Sequence, residues 1–233
     1  MSRLKELLSG TLHLFYPHLC AGCSSDLLEE RNLLCLKCIH ELPHTGFASC
    51  PDNPVEKYFW GRLQLSAAHS EFYFSAGGLM QQLIHLLKYK GNQSLGFYLG
   101  QFLGKSLAQS NRFSTVDALV PLPLFPDKEK QRGYNQAAVI CKGISSVMQL
   151  PVMTRLITRQ RPTETQTRKS RAERWHNVEG SFCLPETNAI KNRHILLVDD
   201  VVTTGATLEA CGKLLKGVEG AMLSIATLAI AAK

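Results

Sequence analysis

One run constrains this chain more than any other: Ile195, Leu196, Leu197, Val198, Asp199, Asp200, Val201, Val202, Thr203, Thr204, Gly205, Ala206, Thr207. The apolar stretch 195–198 reads as a buried strand. It ends in two carboxylates, and a short loop rich in Thr and Gly then opens a helix. That order belongs to a parallel sheet, and such sheets bind ligands beyond the carboxyl ends of their strands. The loop amides, with the helix N-terminus behind them, form a nest suited to a phosphate. Gly205 lets the backbone approach closely. Thr203, Thr204 and Thr207 add hydroxyl donors. Two carboxylates repel the same anion and so need another purpose, either hydrogen bonds to a vicinal diol or help in holding a metal ion. A phosphorylated ribose carries the diol and the phosphate at about this separation. A capped helix after a strand explains Asp200 or Thr207 alone and leaves the rest of the run without a reason.

The surrounding pattern agrees. Strands are expected at 72–74, 118–124, 152–157, 194–198 and 222–230. Helices are expected at 79–88, on the stripe Leu79, Leu83, Leu86 and Leu87, and at 95–107, 137–148 and 206–215. Strands separated by helices of this length predict an α/β domain with a parallel sheet flanked by helices. Pro51, Asp52, Asn53 and Pro54 punctuate the chain ahead of it. The boundary placed there gives a small cysteine module, 1–60, and a body, 61–233.

The module is defined by Cys20-Ala-Gly-Cys23 and Cys35-Leu-Lys-Cys38. Each pair presents two thiolates from one knuckle, and two knuckles complete a tetrahedral site. Thiolate ligands and closure favour structural Zn(II), with an iron–sulfur cluster or a redox pair as the alternatives. Gly22 is expected to supply a positive φ. His18, His40 and His44 are spare ligands, Cys50 is read as unliganded, and Cys141, Cys183 and Cys211 as buried fillers.

Formal charge is +7, from 26 basic and 19 acidic side chains, which points to anionic partners. The stretch 155–175 concentrates it, with Arg155, Arg159, Arg161, Arg168, Lys169, Arg171 and Arg174. It reads as a cationic loop. Leu4, Leu7, Leu8, Leu12 and Phe15 read as an amphipathic helix docked on the body, with a membrane-surface helix as the alternative. No apolar run reaches the ~18–20 residues of a membrane span, and no export signal is recognised, so the expected compartment is the cytoplasm.

The 195–207 run resembles the 5-phosphoribosyl-1-diphosphate (PRPP) signature of type I phosphoribosyltransferases. Three further stretches narrow the resemblance: Leu83 to Lys90; Val120-Pro121-Leu122-Pro123 with Arg132-Gly133-Tyr134-Asn135-Gln136; and Thr163 to Gln166 with Arg174-Trp175-His176-Asn177-Val178 and Gly180-Ser181-Phe182. Together with the cysteine pairs, this order is similar to the ComF/GntX family.

The resemblance implies that Asp199 and Asp200 bind the ribose hydroxyls and that Thr203, Thr204, Gly205, Ala206 and Thr207 hold the 5-phosphate. It implies Mg(II) with the donor, diphosphate contacts from Lys88, Arg132, Arg161, Arg171 and Arg174, and closure of the cationic loop. Tyr134 and Trp175 are candidates to stack on a base. Thr203 stands where 6-oxopurine transferases usually carry aspartate, which argues against hypoxanthine or guanine salvage. Two readings follow: a transferase acting on an unidentified acceptor, or a non-catalytic, PRPP-regulated factor that binds single-stranded DNA. The family's association with natural competence extends the possible partners to a competence helicase machinery. His85, His176 and His194 are read as structural.

Overall fold

The computed structural model describes residues 19–26, 28, 32–159 and 182–231. In chain order the elements are α1 (Leu36–His40), α2 (Pro54–Lys57), β1 (Ala67–Phe74), α3 (Leu79–Tyr89), α4 (Gln93–Ala108), β2 (Ala118–Pro121), α5 (Pro126–Arg132), α6 (Gln136–Met148), β3 (Thr158–Arg159), β4 (Phe182–Cys183), β5 (His194–Val202), α7 (Ala206–Lys216) and β6 (Met222–Ala231). The main sheet has the order β1-β6-β5-β2, and all its pairings are parallel. β3 and β4 form a separate antiparallel pair.

The sheet separates two apolar layers. One holds Leu83 and Leu87 of α3, Leu95, Leu99 and Leu103 of α4, and Ile140 and Ile144 of α6. Cys20, Cys35 and Cys38 pack into this same layer. The other holds Val55, Phe59, Leu208, Cys211 and Leu215. Central strands covered on both faces read as continuous apolar runs, which is why β5 and β6 are legible in the sequence. α4 and α6 touch backbone to backbone. A Cβ on Gly143 would lie 2.2 Å from the Phe97 carbonyl oxygen, and one on Gly100 2.4 Å from that of Ile140. Only glycine fits at this crossing.

Several expectations are corrected. β1 starts at Ala67, ahead of the expected 72–74, because the buried polar side chains His69, Ser70 and Glu71 interrupt its apolar pattern. Most of their polar atoms are paired inside the protein: His69 Nε2 meets Glu71 Oε2 at 2.9 Å, and Ser70 pairs with Thr227, while His69 Nδ1 is buried without a hydrogen-bond partner. The stretch 152–157 is not a strand; Val152 makes one isolated bridge to Leu119 and the chain turns away. β2 ends at Pro121, short of the expected 124. β5 continues through both aspartates to Val202. The expected helix at 1–16 and most of the cationic loop lie outside the described residues.

Candidate functional site

The Sγ atoms of Cys20, Cys23, Cys35 and Cys38 all lie within 4.8 Å of one another, with Cys23 and Cys35 at 3.6 Å. A tetrahedral zinc–thiolate site has sulfurs about 3.8 Å apart, as follows from a bond near 2.3 Å. The four side chains fit a metal ion. Burial disfavours ionising Cys20, but the backbone N–H groups of Cys35, Cys23 and Gly22 outweigh it and bring the thiol down to about 6. The Cys35 N–H donates to Cys20 Sγ at 3.2 Å. Burial and the neighbouring thiols push Cys38 the other way.

Gly22 is needed for a different reason from the one expected. Its φ is not positive; the left-handed residue nearby is Ser24, at φ 59. A Cβ on Gly22 would sit 2.8 Å from both Cys38 Sγ and Leu79 Cδ1. The cysteine knuckle is therefore pressed against the first residue of α3. Cys50 lies outside the cluster and is exposed. Cys141 and Cys211 are buried, whereas Cys183 is half-buried rather than a full core residue.

The carboxyl end of β5 brings together residues far apart in sequence. Successive strand residues face opposite sides of a sheet, and the two aspartates do so here. Asp200 turns toward α3, where its Oδ2 meets Lys88 Nζ at 3.0 Å. Asp199 turns toward α7, where Arg159 and Cys211 interact with it electrostatically. Burial, then the adjacent Asp200 charge, push the Asp199 carboxyl up to about 8; the Asp200 N–H, Lys88 and Arg159 oppose that rise. The Asp200 N–H donates to Asp199 Oδ1 at 2.8 Å.

Beyond β5 the chain turns through exposed Thr203 and Thr204 to Gly205 at φ 72. Gly205 precedes Ala206, the first residue of α7, and the Ala206 N–H points to the Thr204 hydroxyl at 3.4 Å. Thr207 is half-buried in the first turn. Phe59 lies under this loop: a Cβ on Gly205 would come within 3.0 Å of its ring. Arg62 pairs with Glu209 of α7 at 3.0 Å. The segment following α2 thus braces the loop from below. No signal in the sequence pointed to Phe59, because its partner is distant in the chain.

Arg132 ends α5, with Gly133 left-handed after it at φ 80. Its guanidinium lies 5.7 Å from the centre of the Tyr89 ring and donates to Gln136 Oε1 at 2.8 Å. Lys88, Tyr89, Gly91, Lys128, Gln131 and Arg132 line a cavity of about 360 Å³. Lys88 therefore joins this cationic cavity to Asp200. Lys128 is a fresh member, hidden in the sequence because α5 went unrecognised.

Arg159 is also new to the site. Its guanidinium stacks on Phe125 at 3.7 Å and lies 4.9 Å from the Phe182 ring. Burial lowers its pKa, and Asp199 opposes that shift. Tyr134 cannot stack on a ligand: it is buried and its hydroxyl donates to the Leu87 carbonyl. His194 is structural as expected, held by Thr115 and Ser224, each at 2.8 Å. His85 packs its ring on Tyr89. Arg161, Arg171, Arg174, Trp175 and His176 lie outside the described residues.

The phosphoribosyl transferase domain family matches residues 135–233, which include β5, the 203–207 loop, α7 and β6. The parallel sheet agrees with this match, by which residues 135–233 resemble a phosphoribosyl transferase domain. The chain's relatives share more of its length. Competence protein F of Haemophilus influenzae is 27% identical over 216 residues, 90% of each chain. The DNA utilization protein YhgH of Escherichia coli is 27% identical over 84% of this chain and 83% of its own. Competence protein ComFC of Bacillus subtilis is 27% identical over 84% of this chain and 77% of its own. Over most of its length the chain is therefore similar to curated competence and DNA utilization proteins. Among the described residues no helix is long and apolar enough to cross a membrane.

Proposed function

We propose that this chain binds PRPP at the carboxyl end of β5 and transfers its phosphoribosyl group to an acceptor in nucleic-acid metabolism linked to competence and DNA uptake. The observation that carries the reading is the Lys88–Asp200 contact at 3.0 Å, which sets a cationic cavity beside a carboxylate pair and a Gly205 phosphate loop. The exposed Thr203–Thr204 turn and the α7 N-terminus take the 5-phosphate. Asp199 and Asp200, one on each face of the strand end, take the ribose hydroxyls. Lys88, Lys128 and Arg132 face the diphosphate, with Arg161, Arg171 and Arg174 as further cations for it.

Phosphoribosyl transfer expels diphosphate from an oxocarbenium-like centre. The protein's part is to hold the donor, neutralise the leaving group and exclude water. Carboxylates are hard oxygen donors suited to Mg(II), which would supply further charge neutralisation on the diphosphate. Zn(II) in the four-cysteine cluster would hold the knuckle against α3. Residues 1–60 would serve as the metal module and 61–233 as the transferase body, working in the cytoplasm.

Calorimetry with PRPP and Mg(II) tests the donor reading. Wild type should bind, and Asp199→Ala/Asp200→Ala should lose binding while keeping its fold. Zinc-loaded wild type that shows no heat with PRPP would remove the transferase reading. A non-catalytic, PRPP-regulated strand-binding factor would then take its place, which accords with relatives named for competence and DNA utilization.

A further inference from the structure

The short helix α5 brings Lys128 and Arg132 to the cationic cavity, yet its own packing does not hold it there. None of its seven residues is buried. A helix that buries no face gains nothing from packing and takes its direction from its two ends. The far end is well tied. The Gly133 N–H donates to the Glu129 carbonyl at 2.7 Å, Arg132 donates to Gln136 Oε1 at 2.8 Å, and Tyr134 is buried just beyond. The near end has no side-chain cap, and Pro126 opens the helix without an N–H to give. What it does have is Phe125, whose carbonyl accepts the Glu129 N–H at 3.0 Å and whose ring lies 3.7 Å from the Arg159 guanidinium.

Arg159 is fixed in its turn by the β3–β4 pair. Its register partner there is Phe182, and the Phe182 ring centre lies 4.9 Å from the guanidinium. Arg159 Nε is buried and has no hydrogen-bond partner, so ring contacts hold that end of the side chain. A planar, weakly hydrated cation suits such contacts, and a compact ammonium does not. We propose that Arg159 is a positioning residue for the cationic cavity: its stack on Phe125 anchors the start of α5 and so aims Lys128 and Arg132 at the bound ligand. That the ligand is diphosphate rests on the donor reading above; the anchoring of α5 does not. Arg159 need not touch the ligand to act in this way, since its effect passes through Phe125 and the helix that follows.

The test uses the full-length, zinc-loaded chain. Pulse-labelled hydrogen exchange reads α5 with no ligand present. Arg159→Ala and Phe125→Ala should each speed exchange of the Glu129 to Gly133 amides and leave β5 and β6 as protected as in wild type. Phe125→Tyr, which keeps the ring, should exchange like wild type. Arg159→Lys, which keeps the charge and loses the plane, should exchange like Arg159→Ala. Calorimetry then reads inorganic diphosphate with Mg(II). Both alanine variants should bind it about tenfold more weakly, and the double variant no more weakly than either, because both act through one contact. The proposal is overturned if α5 exchange does not change, or if protection falls throughout the sheet. It is also overturned if Arg159→Ala weakens diphosphate and Phe125→Ala does not, since Arg159 would then hold the ligand directly. Wild type that binds no diphosphate would count against the donor reading alone, and the exchange result would still decide the anchor.

Discussion

At the scale of single residues, Asp199 carries the most distinctive chemistry. Its carboxyl is raised to about 8 by burial and by Asp200, against about 4 in an unfolded chain. Between those values the folded state binds more protons than the unfolded state, so this group makes stability fall as pH rises through that window. Asp199→Asn removes the effect. The variant should melt above wild type at pH 8.5, and the difference should shrink toward pH 5; equal differences at both pH values would contradict the assignment. Lys88 and Asp200 make the complementary case. Removing Lys88 leaves a mostly buried carboxylate with its cation gone, at a cost of about 1–2 kcal/mol after allowing for the partial exposure of Lys88. A double-mutant cycle of Lys88→Met and Asp200→Asn, read by urea unfolding, should show coupling of about that size. Additive effects would mean the contact adds no stability.

Among the elements, the loop between β5 and α7 shows how far the sequence could be read. The turn at Thr203, Thr204 and Gly205 was legible because an apolar strand runs into a glycine-containing loop and then a helix. The brace beneath it could not be read, since Phe59 meets Gly205 only after the chain has folded. Gly205→Ala should therefore cost about 1–2 kcal/mol from the left-handed backbone alone, more with the Phe59 ring in the way, and should weaken phosphate binding. A melting curve and a phosphate titration would show both losses; unchanged values would mean the loop is not held as described.

The same contrast holds elsewhere. β5 and β6 were legible because both faces are apolar. β1 was partly hidden because His69, Ser70 and Glu71 are buried through polar partners that no periodicity reveals. α5 was missed because its surface is polar all round, and Lys128 was missed with it. The opposite facing of Asp199 and Asp200 became visible only once the strand was seen to run through them.

For the whole molecule, the cysteine knuckle and the site are linked through α3. The helix begins at Leu79, pressed against Gly22 and Cys38, and carries Lys88 in its last turn. Cys20, Cys35 and Cys38 share the core layer with Leu83 and Leu87. Loss of the metal should disturb the end of that layer. Chelation at neutral pH should lower the melting midpoint by ~10 °C, equivalent to a few kcal/mol for a chain of this size, and weaken diphosphate binding. Adding Zn(II) back should restore both. A midpoint that chelation does not move would show that the cluster holds no metal needed for the fold.

The central claim is that one ligand spans the 203–207 loop, the strand end and the cationic cavity. Phosphorus NMR of PRPP with Mg(II) tests it most directly, because the 5-phosphate and the diphosphate give separate signals. Wild type should perturb all of them. Thr204→Ala/Thr207→Ala should spare the diphosphate signals and lose the 5-phosphate effect, and Lys88→Ala/Arg132→Ala should do the reverse. Signals that wild type leaves unchanged, or that both variants alter alike, would contradict the account.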